Sequence, residues 1–126
     1  MMPSGLHHIA ILCSDKDKAL AFYCDALGFS VERIHVRPER EDEIVMLIGY
    51  GVVLELFVSK KNPPRVSGPE AYGLRHLAFR VVEIDTMVAA LERRGYAPEP
   101  IRCDSFTGEK MTFVKDPDGL PIELHE

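Results

Sequence analysis

A chain of 126 residues that is 46% hydrophobic and 28% charged has the composition of one ordinary globular domain. Its formal net charge of −5 argues against a nucleic-acid partner, because binding phosphates requires a basic surface. No apolar run approaches the roughly 20 residues that cross a bilayer, and the N-terminus lacks the features of a signal peptide. The three cysteines form no CxxC pair and fit reduced thiols, so we expect a cytoplasmic protein.

The first part of the chain, residues 6–59, is predicted to fold as a βαβββ module. An apolar strand is followed by Ser14 or Asp15, either of which can cap a helix that ends at Gly28. An exposed charged loop is expected at 37–43. Alternating apolar residues and a Gly49-Tyr50-Gly51 turn predict the strands at 6–13, 29–36, 44–48 and 52–58.

A second module with the same element order is predicted over residues 74–126. It follows a linker at 60–73 that is too rich in proline and glycine for regular structure. Asp85 is the expected helix cap, and Gly95 is the expected helix stop. The predicted strands lie at 74–82, 96–102, 111–115 and 121–125, with a tight turn at 116–119 before the last.

The two modules carry matching polar residues at one constant spacing. His8 recurs as His76, and Glu55 recurs as Glu123, each within a similar apolar segment. If the copies face each other, two imidazoles and two carboxylates converge, which is a ligand set for Zn, Ni, Co, Mn or Fe(II). The alternative is a decayed duplication whose histidines and glutamates serve only at the surface.

Strand alternation predicts which of these residues face the cavity. Residues two apart share a face, so Glu55 points to the cavity while Leu54 and Leu56 point to the helix-covered side. By the same rule His7 faces away from His8, and we do not predict it as a ligand. Two histidines without a repeat partner are expected at the surface, His35 and His125, the latter on the face of Glu123.

Four short motifs occur in order along the chain: His8-x6-Asp15, Leu54-Glu55-Leu56, Gly73-Leu74-Arg75-His76-Leu77-Ala78 and Asp116-Pro117-Asp118-Gly119-Leu120-Pro121-Ile122-Glu123-Leu124. With them the chain resembles the vicinal oxygen chelate superfamily, which includes glyoxalase I, extradiol dioxygenases, fosfomycin-resistance enzymes and bleomycin-binding proteins. It is most similar to bacterial glyoxalase-I-like proteins, because those carry a glutamate at the position of Glu55. The resemblance implies an α+β fold in which two tandem βαβββ modules form a curved mixed sheet around a metal cavity.

The resemblance also implies a reaction. A glyoxalase-I-type, lactoylglutathione-lyase-like enzyme isomerises the hemithioacetal of a 2-oxoaldehyde through a metal-bound enediolate. Four ligands, His8, Glu55, His76 and Glu123, would hold a divalent Ni, Zn, Co or Mn ion. By analogy Glu123 is the catalytic base, and Glu55 is a ligand and possible second base.

One position departs from the glyoxalase I pattern. Those proteins carry an arginine four residues after the first histidine, where this chain has Leu12. The equivalent position in the second module is Arg80, which is predicted to bind an anionic group of the substrate. A structural Arg80 paired with a nearby carboxylate is the alternative.

The sequence leaves three functions open, and it leaves open whether one chain or two supply the metal ligands. Besides the lyase, the chain could be another metal-dependent enzyme on this fold, a dioxygenase or a thiol transferase to an epoxide antibiotic, or a non-catalytic small-molecule binding protein. The expected partner is a small molecule such as a thiol adduct, without nucleic acid or membrane. We expect a homodimer, in which the ligands come either from one chain or from both.

Overall fold

The computed structural model describes every residue from Met1 to Glu126. The chain divides into two compact units, Met1–Pro63 and Pro64–Glu126. Each unit contains a four-stranded mixed sheet, and its elements follow the order βαβββ. The predicted α+β class with two tandem modules is therefore confirmed. No helix has the length and apolar character needed to span a membrane.

The first unit begins its helix where the sequence predicted. The Asp15 side chain accepts a hydrogen bond from the Lys18 backbone N–H at 3.0 Å, and the helical segment ends before Gly28 at φ 89°. The elements are β1 (Ile9–Cys13), α1 (Lys16–Leu20) continuing as a π-helical segment (Ala21–Ala26), β2 (Ser30–Arg37), a 3₁₀ turn (Pro38–Arg40), β3 (Asp42–Gly49) and β4 (Val52–Val58). The strand order is β1-β4-β3-β2, with β1 parallel to β4 and the other pairs antiparallel.

The second unit repeats this arrangement. The elements are β5 (Leu77–Arg80), α2 (Ile84–Arg93), β6 (Arg102–Cys103), β7 (Lys110–Lys115) and β8 (Pro121–His125). The strand order is β5-β8-β7-β6, with β5 parallel to β8. The segment between β4 and β5 contains a single isolated bridge, between Ser67 and Glu70.

Burial follows the alternation predicted for the central strands. Leu54 and Leu56 are fully buried, whereas Glu55 between them is only half-buried. In the second unit Ile122 and Leu124 are buried on either side of the half-buried Glu123. One face of each sheet therefore belongs to the core, and the glutamates lie on the other.

The helix α2 is capped differently from the prediction. Its N-cap residue is Glu83 rather than Asp85, and the Glu83 side chain makes no capping hydrogen bond. The Ile84 backbone N–H instead donates to the carboxylate of Glu126, at 3.0 Å. A carboxylate at a helix N-terminus is favourable because it satisfies an orphan N–H and complements the helix dipole. Asp85 instead pairs with Lys110.

One predicted loop and one predicted strand also differ from the structure. The predicted loop at 37–43 is shorter than expected, because β2 continues to Arg37 and β3 begins at Asp42. These two residues are cross-strand partners joined by two hydrogen bonds at 2.8 and 2.6 Å. The predicted strand at 96–102 shrinks to two residues, because Pro98 and Pro100 have no N–H to donate to a ladder.

The strands β1 and β5 are shorter than predicted at their N-terminal ends. They were expected over 6–13 and 74–82, but the ladders begin at Ile9 and Leu77. His8 and His76 thus lie just before the first paired residue of their strands. Side-chain alternation applies only within a strand, so it does not determine the direction of the preceding residue.

The turn before β8 is organised by one buried carboxylate. Asp116 is 4% exposed, and its Oδ1 accepts hydrogen bonds from the backbone N–H groups of Asp118 and Leu120, both at 2.9 Å. Gly119 adopts φ 91°, which favours glycine. This predicted turn sets the start of the strand that carries Glu123.

We predict that Asp116→Ala lowers the free energy of unfolding by about 1–3 kcal/mol, because two backbone N–H groups lose their buried acceptor. Urea denaturation followed by circular dichroism measures the change. Asp116→Asn keeps the Oδ1 acceptor and should destabilise less, as should Asp85→Ala at an exposed ion pair. An Asp116→Ala variant as stable as the parent would show that the turn does not depend on this carboxylate.

Candidate functional site

In the first unit the predicted residues His8 and Glu55 are in direct contact. Strand β1 pairs with β4 so that the small residue Ala10 lies opposite Glu55. His8 Nε2 lies 3.2 Å from Glu55 Oε2, and their side chains are 38% and 17% exposed. The contact joins a nitrogen and an oxygen atom, both of which can ligate a metal, at a solvent-accessible position.

The spacing of these two atoms fits a shared metal ion. An ion about 2.1 Å from each ligand holds two ligand atoms about 3.0 Å apart along an octahedral edge and about 3.4 Å apart along a tetrahedral edge. The observed 3.2 Å lies between these values. Imidazole nitrogen and carboxylate oxygen are also ligand types that Zn, Ni, Co and Mn accept. His8 and Glu55 could therefore hold a divalent ion together.

The neighbouring His7 does not face away from His8, contrary to the prediction. The Nδ1 atoms of the two rings lie 2.8 Å apart, and the rings meet edge to face with centroids at 5.1 Å. The alternation rule fails here because both residues precede the first paired residue of β1. One Nδ1 must donate and the other accept, so His7 influences which nitrogen of His8 carries the proton.

This contact suits metal binding by His8. To ligate through Nε2, His8 must keep its proton on Nδ1, where an acceptor is then needed. His7 Nδ1 is within hydrogen-bond distance and can accept it. The sequence analysis gave His7 no role at the site. The signal that could have indicated one was its position directly before a predicted ligand.

In the second unit His76 and Glu123 both lie beside Phe113. Ala78 and Phe113 are the cross-strand neighbours of Glu123, as Ala10 and Met46 are of Glu55. The His76 ring packs edge to face on Phe113, with centroids 5.1 Å apart. The two predicted ligands are thus placed by a common neighbour, without an ion pair between them. Phe113 was not identified from the sequence, because its role depends on the pairing of β7 with β8.

Arg80 and His125 are cross-strand partners with different surroundings. Arg80 is exposed and takes part in no ion pair of the second unit, so the alternative of a structural pairing is not observed. His125 is half-buried, and Nε2 contacts Asp104 Oδ2 at 2.9 Å while Nδ1 contacts the Glu126 carbonyl oxygen at 2.6 Å. Two acceptors favour the doubly protonated ring, and the hydrogen bond with Asp104 chiefly raises the pKa of His125. His35 is exposed, as expected.

The structure brings His8 and Glu55 into contact, whereas His76 and Glu123 share a neighbour, Phe113, without a contact between them. No group of three or more His, Cys, Asp or Glu side chains in the chain is arranged to hold a metal ion. His8 and Glu55 belong to the first unit, and His76 and Glu123 belong to the second. The four-ligand site therefore stays a prediction.

An open cleft of about 460 Å³ in the first unit contains none of the predicted site residues. It lies where β2 and β4 end and β3 begins, and its lining residues fall between Val36 and Lys61. Arg37 in this cleft is paired with Asp42, whose pKa its guanidinium holds below the usual range, and Lys61 is paired with Glu41. Neither His8 nor Glu55 lines this cleft, so it is a separate feature from the contact between them.

Comparisons with known proteins identify the fold and the family of the chain. The chain matches a solved glyoxalase family protein from Enterococcus faecalis with a TM-score of 0.92 and 49% identity, over 98% of each chain. It is 46% identical to the uncharacterized protein YwkD of Bacillus subtilis (strain 168), over 100% of this chain and 99% of YwkD. It is 32% identical to the "Probable lactoylglutathione lyase" of Synechocystis sp., over 94% of this chain and 92% of that protein.

The family model with the description Glyoxalase/Bleomycin resistance protein/Dioxygenase superfamily matches residues 5–124, which include all of the predicted site residues. The resemblance first read from four short motifs is confirmed by this match. The chain belongs to the Glyoxalase/Bleomycin resistance protein/Dioxygenase superfamily.

Proposed function

We propose that the chain is a metal-dependent glyoxalase-I-type lyase that isomerises the hemithioacetal of a 2-oxoaldehyde. The observation that carries the proposal is the 3.2 Å contact between His8 Nε2 and Glu55 Oε2. A carboxylate here, matched by Glu123 in the second unit, makes a two-histidine, two-glutamate set. A dioxygenase would instead favour two histidines and one carboxylate, which leave three positions open on iron. The similarity to the Synechocystis protein points in the same direction.

Four residues would hold the divalent ion: His8, Glu55, His76 and Glu123. When bound, the ion would act as a Lewis acid that stabilises negative charge developing on two adjacent substrate oxygens. The donor set suits Ni, Zn, Co or Mn and does not select among them. The proposed location is cytoplasmic.

Glu123 is the proposed general base. It lies between Ala78 and Phe113 and forms no ion pair within its unit, so its lone pairs are available to the substrate. It would remove the proton from C1 of the hemithioacetal and return it to C2, which completes the isomerisation without a net proton change. Glu55 is a ligand and a possible second base, restrained by its contact with His8.

Arg80 is the proposed contact for an anionic part of the substrate. Its guanidinium is exposed on β5, two residues beyond the Ala78 that faces Glu123. Residues two apart in a strand share a face, so Arg80 lies on the side of the sheet that carries the proposed base. A carboxylate of a thiol adduct is the kind of group that it would bind.

A homodimer is the proposed assembly. Each unit carries two of the four proposed ligands, so a complete set requires one unit of each kind. In one arrangement His8 and Glu55 come from one chain while His76 and Glu123 come from its partner. Closed twofold symmetry would then generate two equivalent sites.

We predict that Glu123→Gln, saturated with metal, loses about 10²- to 10⁴-fold in turnover of the methylglyoxal–glutathione hemithioacetal, because an amide cannot take a proton. The variant should remain folded, since the two side chains are nearly isosteric. Glu92→Gln is the matched control at an exposed helix position. Wild-type turnover in Glu123→Gln would exclude Glu123 as the base. A wild-type protein inactive on this hemithioacetal, with metal bound, would contradict lyase activity itself.

We also predict that His7→Ala weakens binding of a divalent metal by roughly tenfold, because His8 Nδ1 loses its hydrogen-bond partner. His8→Ala should weaken binding further, since a ligand is lost. His35→Ala, which removes an exposed imidazole, is the control and should bind as the parent does. Isothermal titration with Zn²⁺ gives the three affinities. Equal affinities for His7→Ala and the parent would mean that the His7–His8 contact has no part in binding.

A further inference from the structure

The backbone at His76 is not held by the sheet. The first paired residue of β5 is Leu77, which lies opposite Ile122. Gly73, three residues before His76, has φ 126° and no side chain to restrict rotation. Residues 74 and 75 would therefore have considerable freedom if nothing else restrained them, and the direction of the His76 imidazole would share that freedom.

Arg65 supplies a restraint directly before His76. Its Nη2 donates hydrogen bonds to two consecutive carbonyl oxygens, those of Leu74 at 3.0 Å and Arg75 at 3.1 Å. Hydrogen bonds from a guanidinium are charge-assisted and stronger than those between neutral groups. Arg65 Nε is buried without a hydrogen-bond partner. The side chain thus holds the two carbonyl oxygens although leaving this donor unsatisfied costs free energy.

The segment between Arg65 and Arg75 also closes on itself. Ser67 and Glu70 form a bridge, and Arg75 Nε donates to both carboxylate oxygens of Glu70, at 3.0 and 3.2 Å. Residues 65–75, which begin in the predicted linker and end in the predicted second module, thus form a closed loop whose two ends meet at the Arg65 guanidinium. In the first unit His8 instead contacts the residue directly before it, His7, with the two Nδ1 atoms 2.8 Å apart.

We propose that Arg65 is a positioning residue for His76. By holding the carbonyls of residues 74 and 75, it fixes the backbone from which the imidazole extends, while Phe113 supports the ring itself. A ligand placed in advance costs less free energy to order when the metal binds. The inference rests on the proposed metal site, in which His76 is a ligand.

The test compares two variants that each remove one arginine from the same loop. Arg65→Met removes the clamp on the carbonyls, whereas Arg75→Met removes only the exposed pair with Glu70. Each protein is titrated with Co²⁺, whose visible spectrum reports the number and type of its ligands. Thermal unfolding of the metal-free proteins shows whether either variant is generally destabilised.

Arg65→Met should weaken Co²⁺ binding by roughly tenfold, in the range found for residues that orient a ligand. Its Co²⁺ spectrum should shift toward that of His76→Ala, and Arg75→Met should match the parent in both measurements. A loss of overall stability alone would not produce this spectral shift. Parental affinity and spectrum in Arg65→Met would overturn the proposal.

Two further outcomes are distinguishable. If Arg65→Met does not fold, Arg65→Lys decides, because its shorter side chain cannot span both carbonyls as Arg65 does. An intermediate affinity and a shifted spectrum would then support the proposal, and parental values would contradict it. If the parent and His76→Ala bind Co²⁺ equally, the proposed metal site fails, independently of Arg65.

Discussion

The pairing of the first strand with the last strand of each module is the constraint on which the candidate site depends. Ala10 lies opposite Glu55 in one sheet, and Ala78 lies opposite Glu123 in the other. A slip of one residue in either ladder would turn the glutamate toward the core. The core contacts of the neighbouring leucines and isoleucine, fully or almost fully buried at Leu54, Leu56, Ile122 and Leu124, oppose such a slip.

The histidines depend on a different kind of interaction. Both precede the ladders, so local contacts rather than strand pairing determine their directions. His8 contacts His7, and His76 packs on Phe113 behind a backbone that Arg65 holds. The two modules thus share the placement of their glutamates but differ in how each places its histidine. Duplication accounts for the first feature, and the different sequences before β1 and β5 account for the second.

Much of the fold could be predicted from local patterns in the sequence. The strands β4 and β8 have their predicted bounds, because alternating burial and turn residues on either side mark them clearly. A helix cap at Ser14 or Asp15 was predicted because a capping side chain and the backbone N–H that donates to it lie within one turn, and Asp15 is the residue that caps. The glutamates could be placed for the same reason, since they lie inside these strands.

Interactions between residues that are distant in the sequence could not be predicted in this way. The cap of α2 comes from Glu126, the far end of the chain, and no local signal indicates it. The N-terminal limit of β1 depends on where its pairing with the parallel strand β4 begins, so the contact between His7 and His8 was missed. Arg65 was assigned to a linker without a role, because its partners are backbone carbonyls that have no sequence signature.

The central claim is that His8, Glu55, His76 and Glu123 bind one divalent ion. Crystals of the Co²⁺-loaded protein, with diffraction measured on both sides of the cobalt absorption edge, test it most directly, because the anomalous difference density locates the metal without a model of its ligands. We expect one strong peak within bonding distance of all four side chains, and the crystal will show whether one chain or two supply them. A peak bound to other residues, or to only one of the two histidine–glutamate pairs, would contradict the account.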